Sequence, residues 1–414
     1  MLQKAAPHRA RAGNLNFVLV SVFIDVIGIG LIVPVMPPLV GQFVQGRDEQ
    51  ALWYGILATV FGLLQFLFMP MLGVISDRIG RRPVLLYSMG GMCLNFLVTA
   101  MAPSLAWLCL GRVIGGVSAA SMSVAMAYAS DVSTPENRAK SFGKIGAAFG
   151  VGFICGPMLG GLLGEMSLAL PFYAAAALAA VNLVYGYLFV PESLPAANAA
   201  ARAPFSWQRV NPFHALRRLL ARRAIRGLVI VFALTTFGQI MTQTTWVLYT
   251  TFRFGWTPRD NGIAMFCVGL AAAVVQGGLV SALIRRFGEV RLSLMGLASG
   301  AITFVLYGLA TEGWMMYVFI CCNLLAFAAG PALQGIVSRE AGAGEQGELM
   351  GSLQSISSLA VVVTPLIGTG ILGAVSHLPP GDWRIGSSFF LSAAMQALAV
   401  LVAVRWFRQR QAGA

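Results

Sequence analysis

The sequence predicts an all-α integral membrane protein whose twelve spans form two six-helix bundles, and three observations carry that prediction. Of 414 residues, 57% are hydrophobic and only 10% charged, with a mean hydropathy of +0.77. A soluble domain usually carries about 25% charged residues, so this composition excludes a water-soluble globule, a disordered chain and a secreted disulfide scaffold. Apolar runs of about 20 residues, the length needed to cross the hydrocarbon, recur along the whole chain. The longest polar stretch, from Pro191 to Arg226, falls after the sixth run and is rich in arginine. The organisation is therefore a first bundle over 1–190, a basic linker over 191–226 and a second bundle over 227–414.

Charged or proline-bearing breaks separate the runs. The first covers 15–38, with Pro34 and Pro37 favouring a bend, and the second covers 51–72, ending at a loop rich in arginine. The third, 83–102, stops before Pro103, and the fourth, 105–128, carries Arg112. The fifth, 141–164, holds a glycine stripe with Pro157, and the sixth, 170–190, stops at Pro191. After the linker come 227–250, 261–284 (ended by Arg285 and Arg286), 292–311 and 314–337. The last two are 349–374, which follows Glu345 and Glu348, and 385–406, which ends among Arg405 and Arg408. No small-residue cleavage site follows the basic stretch Met1 to Asn14, so the first run is expected to be a retained span and not a signal peptide.

Basic loops stay in the cytoplasm. With an inside N-terminus, 23 of the 28 basic residues fall on the cytoplasmic side, and only Arg47, Arg253, Arg259 and Arg384 face out. Both termini are thus expected in the cytoplasm. The net charge of +13 reads as an insertion signal that also attracts anionic lipid, which argues against a nucleic-acid partner. The six cysteines lie inside apolar runs and read as small packing residues.

An internal repeat supports the two-bundle reading. GVISDRIGRR (Gly73 to Arg82) follows the second run, and SALIRRFGEVR (Ser281 to Arg291) follows the eighth. They align on Gly80 and Gly288, 208 residues apart, about half the chain. Two related halves are the layout of a secondary transporter whose site lies between them. In the second copy Arg285 stands where Asp77 stands in the first.

Within GVISDRIGRRP, Gly73 and Gly80 permit a tight reversal, while Asp77 can pair with Arg78, Arg81 or Arg82 or cap a helix N-terminus. Such a cluster can latch one conformation and release in another; the same arginines also serve as topology anchors. At this point the chain resembles the major facilitator superfamily, whose signature between spans two and three has this form. In span five, Gly152, Gly156 and Gly160 recur every four residues, lining one helix face for close approach, and Pro157 adds a kink. Plain packing accounts for such a stripe as well as function does. In the superfamily a glycine-proline motif here resembles the antiporter signature.

Asp25 is the one acid well inside a span. A charge at that depth costs about 2.5 to 3.5 kcal/mol on insertion scales, so it should face a cavity or a partner. Desolvation disfavours its charged form, which suits a proton-binding group; a structural acid hydrogen-bonded within the bundle fits as well. Arg112, followed by Gly115 and Gly116, can balance Asp25 or snorkel to the outer interface. In the superfamily an arginine followed by glycine here is linked to proton coupling. Gln65, Asn95, Gln239, Gln243, Trp246 and Gln276 are candidate substrate contacts. Span seven (GQIMTQTTWVLYT, Gly238 to Thr250) concentrates amides, hydroxyls and aromatics in a way that suits an amphipathic aromatic drug. Asn182 and Asn323 are further polar residues within spans.

Longer strings resemble the tetracycline efflux branch of the drug:proton antiporters. They are DVIGIGLIVPVMP (Asp25 to Pro37), GVISDRIGRRPVLL (Gly73 to Leu86), AAFGVGFICGPMLGG (Ala147 to Gly161), WVLYTTFRFGW (Trp246 to Trp256) and PALQG (Pro331 to Gly335). The resemblance implies a proton-driven exporter in the cytoplasmic membrane of a bacterium; a monomer is expected. It implies no cofactor, with magnesium entering only as a chelate of the substrate tetracycline. Asp25, Gln65, Asp77, Arg81, Arg112 and Gln239 match the pattern of that branch. Where it carries an acid in span three, a histidine in span eight and an acid in span nine, this chain has Asn95, about Ala272, and Ser299. Those replacements leave proton movement to Asp25, aided by Arg112, and favour a neutral or anionic substrate over a cationic chelate. An uptake symporter or uniporter of the same fold is the alternative transport reading. An intramembrane enzyme would need a buried nucleophile and base or metal ligands, and no span holds a histidine. Accumulation against a gradient would separate a transporter from a channel.

Overall fold

The computed structural model describes residues 13–134, 136–194, 223–340 and 346–412. Most of the basic linker, from 195 to 222, and the N-terminal twelve residues lie outside the described residues. Among those described, the chain is helical between short turns. Eleven helices are long and apolar enough to cross a membrane, and a bent pair, Gly313–Cys322 with Leu324–Ile336, makes the twelfth span at an angle of 46°.

Helices outlast the apolar runs wherever nothing interrupts backbone hydrogen bonding. Span two is one helix, Arg47–Ile79, longer at both ends than its run because polar residues continue a helix as readily as apolar ones. It stops at Gly80, whose φ of 111° ends the helix and turns the chain into span three, Arg81–Ala100. Spans five, six and seven occupy Arg138–Met166, Leu170–Phe189 and Arg223–Phe254. Spans nine, eleven and twelve occupy Glu289–Leu309, Gln346–Val375 and Ser387–Ala412.

Four spans are broken, which hydropathy does not reveal. Span one, expected to run on to residue 38, ends at Ile32 and resumes as Met36–Gly41. Pro34 supplies no N–H and disfavours the helical conformation of the residue before it, whereas Pro37 falls in the first turn of the resumed helix, where its missing N–H is tolerated. Span four divides into Leu105–Ser118 and Ser121–Val132 just after Gly115, Gly116 and Ser118, residue types that accompany sharp kinks. Span eight passes from Pro258–Val274 through a π-helical segment, Val275–Leu279, containing Gly277 and Gly278, into Val280–Phe287. Span ten bends at Asn323, whose Oδ1 accepts a hydrogen bond of 2.9 Å from the Ser299 hydroxyl of span nine.

The internal repeat has a backbone counterpart. Gly80 and Gly288, aligned by sequence, both adopt positive φ, 111° and 74°. Each reverses the chain at the same place in its half, where a side chain would strain the turn.

Spans one to six pack mainly on one another, as do seven to twelve. The halves meet along two seams, span two against span eleven and span five against span eight. At the seams backbones approach without side chains between them. A Cβ on Gly62 would lie 2.8 Å from Val361 O, and one on Gly262 would lie 2.6 Å from Pro157 O. A Cβ on Gly161 would lie 2.5 Å from Pro258 O. Arg47 also crosses between halves, its guanidinium 5.4 Å from the centre of the Phe252 ring. These contacts lie away from the Asp77 loop. At the loop end, Gly73, Gly146 and Gly277 have open space where a Cβ would sit.

The end of the second half away from that loop is a rigid aromatic block. Trp246 stands edge-on to Tyr307 at 5.3 Å between centroids, and Tyr249 to Phe389 at 4.5 Å. The Tyr249 hydroxyl donates to Tyr307 O at 2.6 Å. Arg253, at the end of span seven away from the loop, is buried, with Nε donating to Ala310 O at 2.6 Å and Nη1 to Asp382 O at 2.5 Å. All six cysteines are free, and Cys321 and Cys322 are exposed where packing residues were expected.

Candidate functional site

A cavity of about 430 Å³ lies between the halves. Spans one to six supply most of its wall, and Ile240 and Thr244 of span seven with Val361 and Pro365 of span eleven close it from the second half. The wall is largely apolar, with Asp25, Tyr54, Gln65, Asn95, Arg112, Ser121 and Thr244 as its polar points. An apolar pocket with few placed polar groups is the usual form of a small-molecule site.

Asp25 lies seven residues before the end of the straight part of span one. Its Oδ1 accepts 2.7 Å from Asn182 Nδ2, which also donates 3.0 Å to Ser21 O, and the Ser121 hydroxyl stands beside it. Span six thus holds the carboxyl with a neutral amide and not a cation, leaving it free to change charge without breaking an ion pair. Asn182 is fully buried.

Arg112 does not snorkel: it is 7% exposed and lines the same cavity. Nη2 donates to Asn95 Oδ1 at 3.4 Å, the guanidinium lies 5.5 Å from the centre of the Phe61 ring, and Tyr54 stands close by. The glycines that follow explain how three spans meet here. A Cβ on Gly115 would lie 2.9 Å from Asn95 Cγ and 3.1 Å from the Phe61 ring, and one on Gly116 would lie 2.7 Å from Leu64 Cβ.

Gln65 and Asn95 thus join Asp25 and Arg112 in one site, whereas the other candidate contacts lie apart from it. Trp246 is buried in the aromatic block. Gln239 and Gln243 are exposed on span seven outside the cavity wall, and Gln276 is exposed in the π segment of span eight. The hydroxyls of Thr245 and Thr250 are taken by Met241 O and Trp246 O. Composition identified span seven, but its helical phase turns Ile240 and Thr244 to the cavity. Ser299 is bonded to Asn323, and Ala272 precedes the π segment, so neither lines the cavity. Tyr54, Phe61 and Ser121 were not singled out by sequence. Each occupies an ordinary helix position with no local signal.

The glycine stripe of span five packs on span one. A Cβ on Gly152 would lie 3.0 Å from Val26 Cβ, and one on Gly156 would lie 2.7 Å from Gly30 Cα. Gly160 meets the Leu31 backbone, and Pro157 Cδ packs against Gly30. Gly161 and Gly164 on the adjoining face meet span eight, so span five is wedged between span one and the opposite half.

The Asp77 loop is a network centred on Arg81. This buried guanidinium bonds Asp77 Oδ1 at 2.5 Å, Asp131 Oδ2 at 2.9 Å and Ser76 Oγ at 2.7 Å. Asp77 remains 57% exposed, and Arg78 is exposed as well. Arg82 Nη2 donates to Tyr187 O at 2.5 Å. Glu192, which the sequence reading passed over, caps the first turn of span three by accepting from the backbone N–H groups of Arg81 at 2.9 Å and Arg82 at 3.1 Å. The legible signal was an acid closing span six on the same side as a basic loop. Arg81→Gln removes the shared donor of two carboxylates and is expected to lower stability by about 1–3 kcal/mol, read as an earlier thermal unfolding in detergent. An unchanged transition would mean that the network contributes nothing.

Comparison with known proteins agrees with this architecture. Residues 18–365 match the model of the Major Facilitator Superfamily. The chain is 36% identical over 378 residues to the class C tetracycline resistance protein of Escherichia coli, covering 91% of this chain and 94% of that one. It is likewise 36% identical over 381 residues to the class G tetracycline resistance protein of Vibrio anguillarum, covering 90% and 94%. Among solved structures, the human organic anion transporter MFSD10 superposes with a TM-score of 0.69 at 26% identity, covering 96% of this chain and all of that one. A twelve-span helical fold with a cavity between its halves, a family model spanning most of the chain and full-length relatives agree: this multi-pass membrane transporter belongs to the Major Facilitator Superfamily, in its tetracycline-efflux-like branch.

Proposed function

We propose that the chain exports an amphipathic drug or metabolite in exchange for protons, with tetracyclines as the first candidates, by alternating exposure of the cavity between the two bundles. The observation that carries this is Asp25: a carboxyl in the wall of the cavity, held by the amide of Asn182 and not by a cation. Protonation from outside and substrate loading from inside would alternate at this site, with Arg112 as a fixed positive charge. The excess of basic residues supports a bacterial inner-membrane orientation with both termini and the Asp77 loop in the cytoplasm. The fold needs no second copy to complete the cavity, which supports a monomer.

The test is uptake of tetracycline with magnesium into everted membrane vesicles under a proton gradient, beside neutral, cationic and anionic compounds. Gradient-driven uptake that collapses with an uncoupler is the expected result. Uptake that is indifferent to the gradient, or that runs only in right-side-out vesicles, would replace the exporter with a uniporter or symporter. Orientation is checked separately. Alkaline phosphatase fused after Ala412 is expected to be inactive and a fluorescent protein fused there bright; the reverse pattern would overturn the assigned topology.

A further inference from the structure

We propose that Arg112 and Asn95 form an acid-binding subsite in the cavity, so that the transported class includes apolar organic acids presenting a carboxylate or enolate oxygen. This deepens the functional reading above and rests on the cavity being the transport site. It does not depend on the direction of transport.

Two donors carry it. Arg112 is 7% exposed and Asn95 is fully buried, yet Arg112 Nε and Asn95 Nδ2 have no hydrogen-bond partner. Both side chains line the cavity. A buried donor left unpaired costs free energy, more for a charged group, and native proteins rarely leave one without a role. Among the described residues, no carboxylate lies within ion-pair distance of Arg112. Asp25, which shares the cavity, is bonded to Asn182 instead. The guanidinium is thus a desolvated cation without a counter-ion, and an anionic oxygen is the chemistry that completes it.

The surroundings hold the cation in place. Phe61 stacks near the guanidinium and Asn95 Oδ1 takes Nη2, which orients the planar fork while leaving Nε free. A planar guanidinium suits a carboxylate, to which it can offer two parallel N–H groups. Gly115 lets Asn95 and Phe61 sit against span four. The remaining wall, with Met92, Phe96, Ile29 and Leu57, is apolar and would receive the body of the ligand.

The test is equilibrium binding to the full-length protein in detergent, which needs no proton gradient. The probes are 2-naphthoate and its neutral isostere 2-naphthamide. The wild type is expected to prefer the acid by about tenfold or more, the size of one charge-assisted hydrogen bond. Arg112→Gln should abolish that preference, and Arg112→Lys should retain part of it. Asn95→Leu should weaken naphthoate more than naphthamide. Size exclusion and thermal unfolding identify any variant that fails to fold; the wild-type preference stands as a test on its own. Equal binding of acid and amide by the wild type, no saturable naphthoate binding, or a preference that survives in Arg112→Gln would overturn the proposal. Proton-driven tetracycline uptake without acid preference leaves the exporter and removes the subsite. Acid preference without gradient-driven uptake leaves the subsite and removes the exporter.

Discussion

Everted vesicles carrying Asp25→Asn are expected to accumulate tetracycline no further than uncoupler-treated wild-type vesicles, while still exchanging it down a concentration gradient. Asparagine keeps the volume of the side chain and can still accept from Asn182 Nδ2, so the wall of the cavity stays intact. It cannot take up or release a proton. Coupling and folding therefore separate in this variant: counterflow of preloaded drug persists, whereas uphill uptake falls to background. Asp25→Glu retains the titratable group on a longer stem and is expected to keep reduced but measurable uphill transport. Full accumulation by Asp25→Asn would remove Asp25 from the coupling mechanism, and loss of counterflow as well would show it to be a structural acid.

Gly160→Leu is expected to prevent assembly of the first bundle. A Cβ at this position would meet the Leu31 backbone, with its carbonyl carbon at 2.6 Å and Cα at 2.7 Å. Backbone atoms of a packed helix cannot turn aside as a side-chain tip can, so the two spans must separate. Overpacking typically costs about 1–3 kcal/mol where side chains can adjust, and here the expected cost is above that range. The measurable outcome is little or no folded protein in the membrane fraction. Gly150→Ala is the matched control in the same helix, because open space surrounds its Cβ. A helical glycine replaced by alanine gains about 0.5–1 kcal/mol, so this variant should unfold at the same temperature as wild type or higher. Equal behaviour of the two variants would mean that the stripe does not set the approach of spans one and five.

The spans were legible because each must satisfy its backbone within itself and present apolar side chains to lipid, and both requirements leave a local record in composition. The same holds for Asp25, which is conspicuous wherever it packs, and for the glycine stripe, whose spacing already names one helix face. Gly80 and Gly288 were legible as a repeat and Gly80 as a reversal as well, whereas Gly73, expected to turn the chain too, continues the helix Arg47–Ile79. The breaks in spans four, eight and ten were not legible, since the residues there remain apolar and hydropathy averages over them.

What the sequence determined alone is therefore the part of the protein that follows from single helices in a membrane: twelve spans, their expected orientation, two related halves, and one acid too deep to be incidental. The tertiary structure decided which polar groups meet. Asn182, 157 residues from Asp25 in the chain, supplies the bond that holds the carboxyl. Asn95 and Phe61, on two other spans, hold Arg112. Trp246, Thr245 and Thr250 of span seven, promising by composition, were turned into the core by the phase of their helix. Helical periodicity distributes neighbouring residues around the axis, so composition names the helix while only packing selects the face that lines the cavity.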